Sequence, residues 1–186
     1  SDPGERIVRA VVDAGGVVSA TPGPSAAIMA VTLSGLPAGR FVFEGFLPRS
    51  GVERKERLEM VAIETRTTVL YEAPHRLHKT LSDLELMCGS QRRIALAAEL
   101  TKIHEDVWRG SLREAVKRHA DSEPRGEFVL VLDGAAPAAP PTDDEIIVAL
   151  RAEIAAGVTR KDAASRVSAR FGVSKRHVYE LTLSLG

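Results

Sequence analysis

Apolar and polar positions switch repeatedly between helical and strand periods up to Gly134, and keep the helical period alone beyond it. Ile7, Val8, Val11 and Val12 mark one face of a first helix, which Ser1-Asp2-Pro3-Gly4 can open and Gly15-Gly16 can close. Val17 to Ala20 reads as a short strand, and Ala26 to about Leu33 as the next helix. Arg40 to Phe46 alternates like a strand. Gly51 to Glu64, rich in Arg, Lys and Glu, predicts a largely solvated helix with Leu58, Val61 and Ala62 turned inward. Thr67 to Tyr71 is β-branched, apolar or aromatic throughout, the composition of a buried strand. Pro74 forbids its continuation and biases Ala73 away from helix, so the chain turns at once. An amphipathic helix follows at Leu77 to Met87, then a strand at Arg93 to Ala98. Trp108 to Ser111 leads into a helix from about Leu112 to His119, and Glu127 to Asp133 is a last apolar strand. Alternation of this kind predicts an α/β sheet.

Ala135 to Thr142 is a Pro/Ala linker, extended and semi-rigid. Beyond it, three helices are expected at about 143–156, 159–170 and 174–184, with Thr159 and Ser174 as N-caps and Gly172 between the last two. Their spacing is that of a helix-turn-helix. From Gly157 onward Arg160, Lys161, Arg166, Arg170, Lys175 and Arg176 stand against only Asp162 and Glu180, a local basic patch suited to nucleic acid. A generic three-helix packing module has the same pattern.

The whole chain is neutral, with 25 Lys and Arg against 25 Asp and Glu, so the case for a nucleic-acid partner rests on that patch. The lone Cys88 excludes an internal disulfide and a multi-cysteine metal site, and suits a reducing cytoplasm. No apolar run has the roughly 18 residues that a membrane span needs. Ser1 opens neither a basic nor an apolar leader, and the missing initiator Met is expected of a processed or truncated chain.

Several chemistries lack their residues. Ser25 sits in no Gly-x-Ser-x-Gly elbow. His75, His78, His104, His119 and His177 form no metal-binding pair of the His-Glu-x-x-His kind. Neither a Walker loop nor Gly-x-Gly-x-x-Gly is present. What remains is a set of loops that follow strands: PGPSA, GFLPR, YEAPHR and ELTK. Each is readable as a plain turn. Together they suit a cleft that holds a cofactor on backbone groups and an anionic substrate on cations.

SDPG, TPGPSA, FEGFLPR, YEAPHR, ELTK-x-x-E and RGEFVLV, in this order, resemble the ribosomal RNA small-subunit methyltransferase I family of the tetrapyrrole-methylase superfamily. The resemblance covers nearly the whole chain. It implies two α/β domains with S-adenosyl-L-methionine in the cleft between them, and methylation of a ribose 2′-hydroxyl of a cytidine in the decoding region. The substrate would be small-subunit rRNA or the 30S subunit. By the same resemblance Pro22, Gly23, Ser25, Ala26, Tyr71, Glu72 and Ala73 are the expected cofactor contacts. Glu99, Lys102 and Glu105 are the candidate catalytic groups, each alternatively a structural ion pair. Arg49, His75 and Arg76, with Arg160, Lys161, Lys175 and Arg176 of the tail, are the candidate RNA contacts.

Family members carry a further stretch before SDPG. Residues 1–22 are therefore expected to be the remnant of a first α/β domain, 23–134 the second methylase domain, 135–142 the linker and 143–186 the helical domain. Such a fragment should bind cofactor weakly and should self-associate, as a homodimer, through exposed apolar surface. A precorrin-type methyltransferase and a non-enzymatic nucleic-acid-binding regulator are the alternative readings. The first needs no basic tail, and the second leaves the α/β portion without a role.

Overall fold

Phe128–Leu132, buried at every position, is the central strand of a five-stranded sheet. A computed structural model describes residues 4–120, 124–137 and 140–183, in two compact units, Ser1–Ala136 and Pro137–Gly186. The first unit begins with α1 (Gly4–Asp13), α2 (Ala26–Ser34), β1 (Phe41–Phe46), α3 (Gly51–Ile63) and β2 (Thr67–Glu72). A single 3-10 turn at Pro74–Arg76 then leads into α4 (Leu77–Cys88). β3 (Arg93–Ala98), β4 (Asp106–Ser111), α5 (Leu112–Arg118) and β5 (Phe128–Leu132) complete it. The strand order is β1-β2-β5-β3-β4; β1 and β2 are parallel and every other pair is antiparallel.

Strand alternation sends side chains to two different cores. Leu70, Ile94, Leu96, Leu130 and Leu132 meet Leu58 and Val61 of α3, Leu77, Leu81 and Leu84 of α4, and Leu112 and Ala115 of α5. On the opposite face Val69, Ala95, Ala97, Val129 and Val131 meet Ala27, Ala30 and Val31 of α2. Alanines on both sides of that second contact let the helix lie close to the sheet.

Most expected elements are present, with two corrections. Val17 to Ala20 forms no strand and is exposed, Val17 at 96 %. Strand propensity yields a strand only where a neighbour offers ladder hydrogen bonds, and among the described residues no strand pairs with it. In the other direction, Asp106–Ser111 is an edge strand rather than a lead-in to α5. Its Gly110 is covered by the Trp108 ring, which a Cβ there would meet at 2.5 Å. α3 also departs from the solvated helix expected of it, because Arg54 is buried. α1 buries none of its residues, and the expected cap at residues 1–3 lies outside the described residues.

The second unit holds α6 (Asp143–Ala155), α7 (Arg160–Phe171) and α8 (Lys175–Leu183). Thr142 and Glu145 form a reciprocal capping box, and Thr159 Oγ1 accepts from the Asp162 amide, which fixes both starts. Ser174 Oγ accepts from the His177 amide at 3.3 Å. Ile146, Leu150, Ala163, Ala164, Val167 and Val178 make a core of this unit's own. Among the described residues no helix is long and apolar enough to cross a membrane.

Candidate functional site

The register of the sheet gathers several loops at one edge. Tyr71 pairs with Phe46, Glu72 with Phe128, and Phe128 with Ala98. The C-terminal ends of β1, β2 and β3 thus lie beside the start of β5, at the edge where ligands bind in open α/β sheets. Ala26, Phe46, Tyr71, Glu72, Ala73, Pro74 and Glu127 to Val129 line a cleft of about 440 Å³ there. A larger hollow, about 670 Å³, lies against α1, but it is bounded only by that helix and the turn after it.

Ser25 is the N-cap of α2 in extended backbone (φ −130°, ψ 120°), and its side chain makes no capping hydrogen bond. The first amides of a helix have no intrahelical partner. The Ser25 hydroxyl and these amides therefore stand as donors next to Ala26, at the mouth of the cleft.

Behind the cleft lies a buried polar network. The Glu72 carboxylate accepts from the Ala73 amide at 2.9 Å and the Thr80 hydroxyl at 2.5 Å, and pairs with Arg76 Nε at 3.3 Å. Arg54 donates to Thr80 Oγ1 at 3.0 Å and, from two nitrogens, to Asp83 Oδ2 at 2.9 and 2.7 Å. Its Nη1 also reaches the Pro48 carbonyl at 2.8 Å, and Arg76 Nη2 the Leu47 carbonyl at 2.7 Å. Arg76 thereby fastens the loop after β1 to the turn after β2, and Arg54 fastens the same loop to α4.

The loop after β3 is held in a different way. Glu99 and Thr101 adopt positive φ, 50° and 67°, which non-glycine residues tolerate only when held there. Glu99 Oε1 accepts from Lys102 Nζ and from the Glu127 amide, both at 2.9 Å, and Glu105 Oε2 accepts from the Thr101 amide at 2.7 Å. The Lys102 hydrogen bond, then the Glu127 amide, hold the Glu99 carboxyl below its usual range, and Glu99 in turn pushes the Lys102 ammonium up. The pair is built to keep its charges. A carboxylate so depressed is a weak base near neutrality.

Residues 1–116 match the family described as Tetrapyrrole (Corrin/Porphyrin) Methylases. The chain belongs to the tetrapyrrole methylase family. Its relatives include proteins named ribosomal RNA small subunit methyltransferase I. That of Synechocystis sp. is 42% identical over 100% of this chain and 67% of its own length. Those of Mycobacterium tuberculosis and Bacillus subtilis are 45% and 37% identical over 98% and 97% of this chain, and 64% and 63% of theirs. The chain thus spans about two thirds of the length of these relatives. In fold it is similar to a cobalt precorrin-4 methyltransferase, CbiF (TM-score 0.53, 13% identity), and to the methyltransferase CobJ (TM-score 0.53, 23% identity). Each likeness covers 70% of this chain and 58% of the other.

In this tetrapyrrole methylase the cleft unites Ala26, Tyr71, Glu72 and Ala73 of the expected cofactor contacts, while Pro22, Gly23 and Ser25 lie exposed before α2. Glu72 borders the cleft, yet its carboxylate is turned to Ala73, Thr80 and Arg76. Arg76, expected at a phosphate, is spent on Glu72 and the Leu47 carbonyl; Arg49 and His75 are exposed. Glu99 meets the cleft only through Glu127. Arg160, Lys161, Lys175 and Arg176 are exposed on the helical unit, Lys175 bonded to Ser165 and Arg176 to Glu180. Sequence reasoning missed Phe46, Glu127, Phe128 and Val129 as lining residues. The motif RGEFVLV contained three of them, but a strand entering the edge by its start was not anticipated.

Gly126 ties the two halves of this edge together. Its φ is 83°, and a Cβ on it would lie 2.1 Å from Glu99 Oε1. Gly126→Ala is expected to lower stability by about 1–2 kcal/mol from left-handed backbone alone, with the clash added. Combining it with Glu99→Ala should remove the clash and leave the backbone cost, as read by thermal denaturation of both variants. Equal stability of Gly126→Ala and the unsubstituted protein would refute this packing.

Proposed function

We propose that this chain is part of an enzyme that methylates the ribose 2′-hydroxyl of a cytidine in the decoding region of small-subunit rRNA, in the cytoplasm, with S-adenosyl-L-methionine as methyl donor. The observation that carries the reading is the 42% identity, over the full chain, to a protein named for ribosomal RNA small subunit methylation. The cleft supports it. Small side chains at Ala26 and Ala73 leave room for a nucleoside, and the apolar flank at Phe128 and Val129 suits its ring. The donors at the start of α2 suit a carboxylate. The bound donor supplies a methyl group on a positive sulfur, open to displacement by an oxygen nucleophile.

What the protein contributes is chiefly placement. Ala26, Tyr71 and Ala73 would hold the nucleoside, and Ser25 with the first amides of α2 the amino-acid end. Lys102 keeps a fixed positive charge beside the site. Exposed Arg49 and His75, and Arg160, Lys161, Lys175 and Arg176 of the helical unit, would meet RNA phosphates.

Methyl-labelled cofactor incubated with small ribosomal subunits should deliver label to a 2′-O-methylcytidine, recovered after nuclease digestion. Ala73→Leu, which narrows the cleft, should weaken cofactor binding about tenfold or more, as overpacking of a well-filled site costs about 1–3 kcal/mol. Label on a base instead of a ribose, or none with cofactor binding intact, would overturn the reading.

A further inference from the structure

The edge strand β1 carries a bulge that alters which side chains share its outer face. Phe43 is opposite Val69 and Phe46 opposite Tyr71, but Gly45 rather than Glu44 faces Leu70. One residue is therefore skipped, with Gly45 at φ 64°. In a regular strand two residues three apart point to opposite faces. Here Phe43 and Phe46 come to the same face and both pack on Tyr71, with ring centroids at 5.0 and 5.6 Å and interplanar angles of 71° and 61°. The skipped Glu44 turns instead to Arg57 of α3, at 3.1 Å. Bulges that re-aim side chains are common beside functional sites.

The resulting trio is half in and half out of the cleft. Phe46 and Tyr71 line it, whereas Phe43 lies beyond, and the two phenylalanines remain 51% and 49% exposed. Just past β1, Arg49 is exposed and makes no hydrogen bond or ion pair among the described residues. Aromatic surface with an unpaired cation three residues further along the chain is the combination that holds an unstacked base and its phosphate.

We infer that Phe43 and Phe46, set on one face by the bulge at Glu44, form a stacking platform for a single-stranded nucleotide of the RNA substrate next to the one entering the cleft. This rests on the RNA-methylating reading above and adds the residues that position the strand. Phe43 is a positioning residue, since it lies outside the cleft lining.

The test uses the full chain and a short single-stranded RNA containing cytidines, followed by fluorescence anisotropy, beside a matched RNA series with single abasic positions. Phe43→Ala should raise Kd about tenfold, the loss expected when one base loses its stacking partner. Phe43→Leu, which keeps apolar packing on Tyr71 without an aromatic face, should do the same, and Phe43→Trp should restore affinity. For the RNA whose abasic site falls at the platform, Phe43→Ala should change nothing further. Cofactor titration should be unaffected by all three variants. Unchanged RNA affinity in Phe43→Ala and Phe43→Leu, or an equal loss for every abasic RNA, overturns the platform alone. If those variants instead turn a dimer into a monomer in sedimentation with RNA affinity intact, the face is a contact between copies. Failure of the unsubstituted chain to bind any RNA would remove the RNA-methylating reading and the platform together.

Discussion

Arg54→Met should destabilise the α/β unit by about 3–5 kcal/mol, the cost of breaking one side of a buried ion pair. The guanidinium has only 5% of its side chain exposed and serves Asp83, Thr80 and the Pro48 carbonyl together. Methionine keeps most of the apolar stem, so the loss would report the polar network rather than a cavity. Acid should expose the same network. Burial alone would raise the Asp83 carboxyl, but hydrogen bonds from Lys79 and Arg54 outweigh it and hold the group below its ordinary 3.8. A carboxyl depressed in the folded state stabilises above its unfolded pKa, and the contribution is lost as pH falls through the folded one. The unsubstituted protein should therefore lose this contribution only at acid pH, below about 4. Arg54→Met, with one cation fewer holding Asp83 down, should show a smaller acid loss, complete at a higher pH. Guanidinium denaturation at pH 7 and at stepwise lower pH measures both effects. A change below about 1 kcal/mol at pH 7 would mean that water satisfies Asp83 as well as Arg54 does.

Leu150→Ala should unfold the helical unit while the sheet stays folded. Leu150 is fully buried within the core of α6, α7 and α8, and such truncations cost about 2–5 kcal/mol. Units this small have little stability to lose. Amide exchange across residues 143–183 should become fast, with the strands at 67–72 and 128–132 still protected. If the basic helices serve RNA, affinity for it should drop and cofactor titration should not. A single transition that takes sheet and helices together would refute two independently cored units.

The parts of the fold that were legible in the chain are those specified locally. Thr67 to Tyr71 announces a strand by composition, and Pro74 holds Ala73 extended at φ −81° and ψ 146°. Gly172 closes α7 in left-handed backbone, as its place in the pattern suggested. Ala26, Tyr71 and Ala73, which the resemblance marks as expected cofactor contacts, line one cleft. What was not legible depends on partners distant in sequence. Arg54 sits in a run of charges that reads as solvated, and only α4 brings Thr80 and Asp83 to it. Val17 and Val18 look like strand residues but pair with no strand among the described residues. Gly45 hints at the bulge in β1, but the re-aimed Phe46 emerges only from the register against β2. β4 has no fully buried position, is exposed at Asp106 and Arg109 and has a glycine near its end, and so shows neither a clean alternation nor an apolar run.

The position of β5 has a consequence for how the protein is made. It is the last strand among the described residues and the middle one in the sheet, joined to β2 on one side and β3 on the other. Until it emerges during synthesis, β1 with β2 and β3 with β4 are two separate ribbons with their inner edges open. Such edges invite wrong pairing, and closing them needs contacts between residues far apart in sequence, which form slowly. Phe128 and Val129 of the cleft lie on that same strand, with Glu127 just before it. A chain made only as far as β4 therefore lacks part of the cleft lining; the strand that completes the sheet is the one that completes the site.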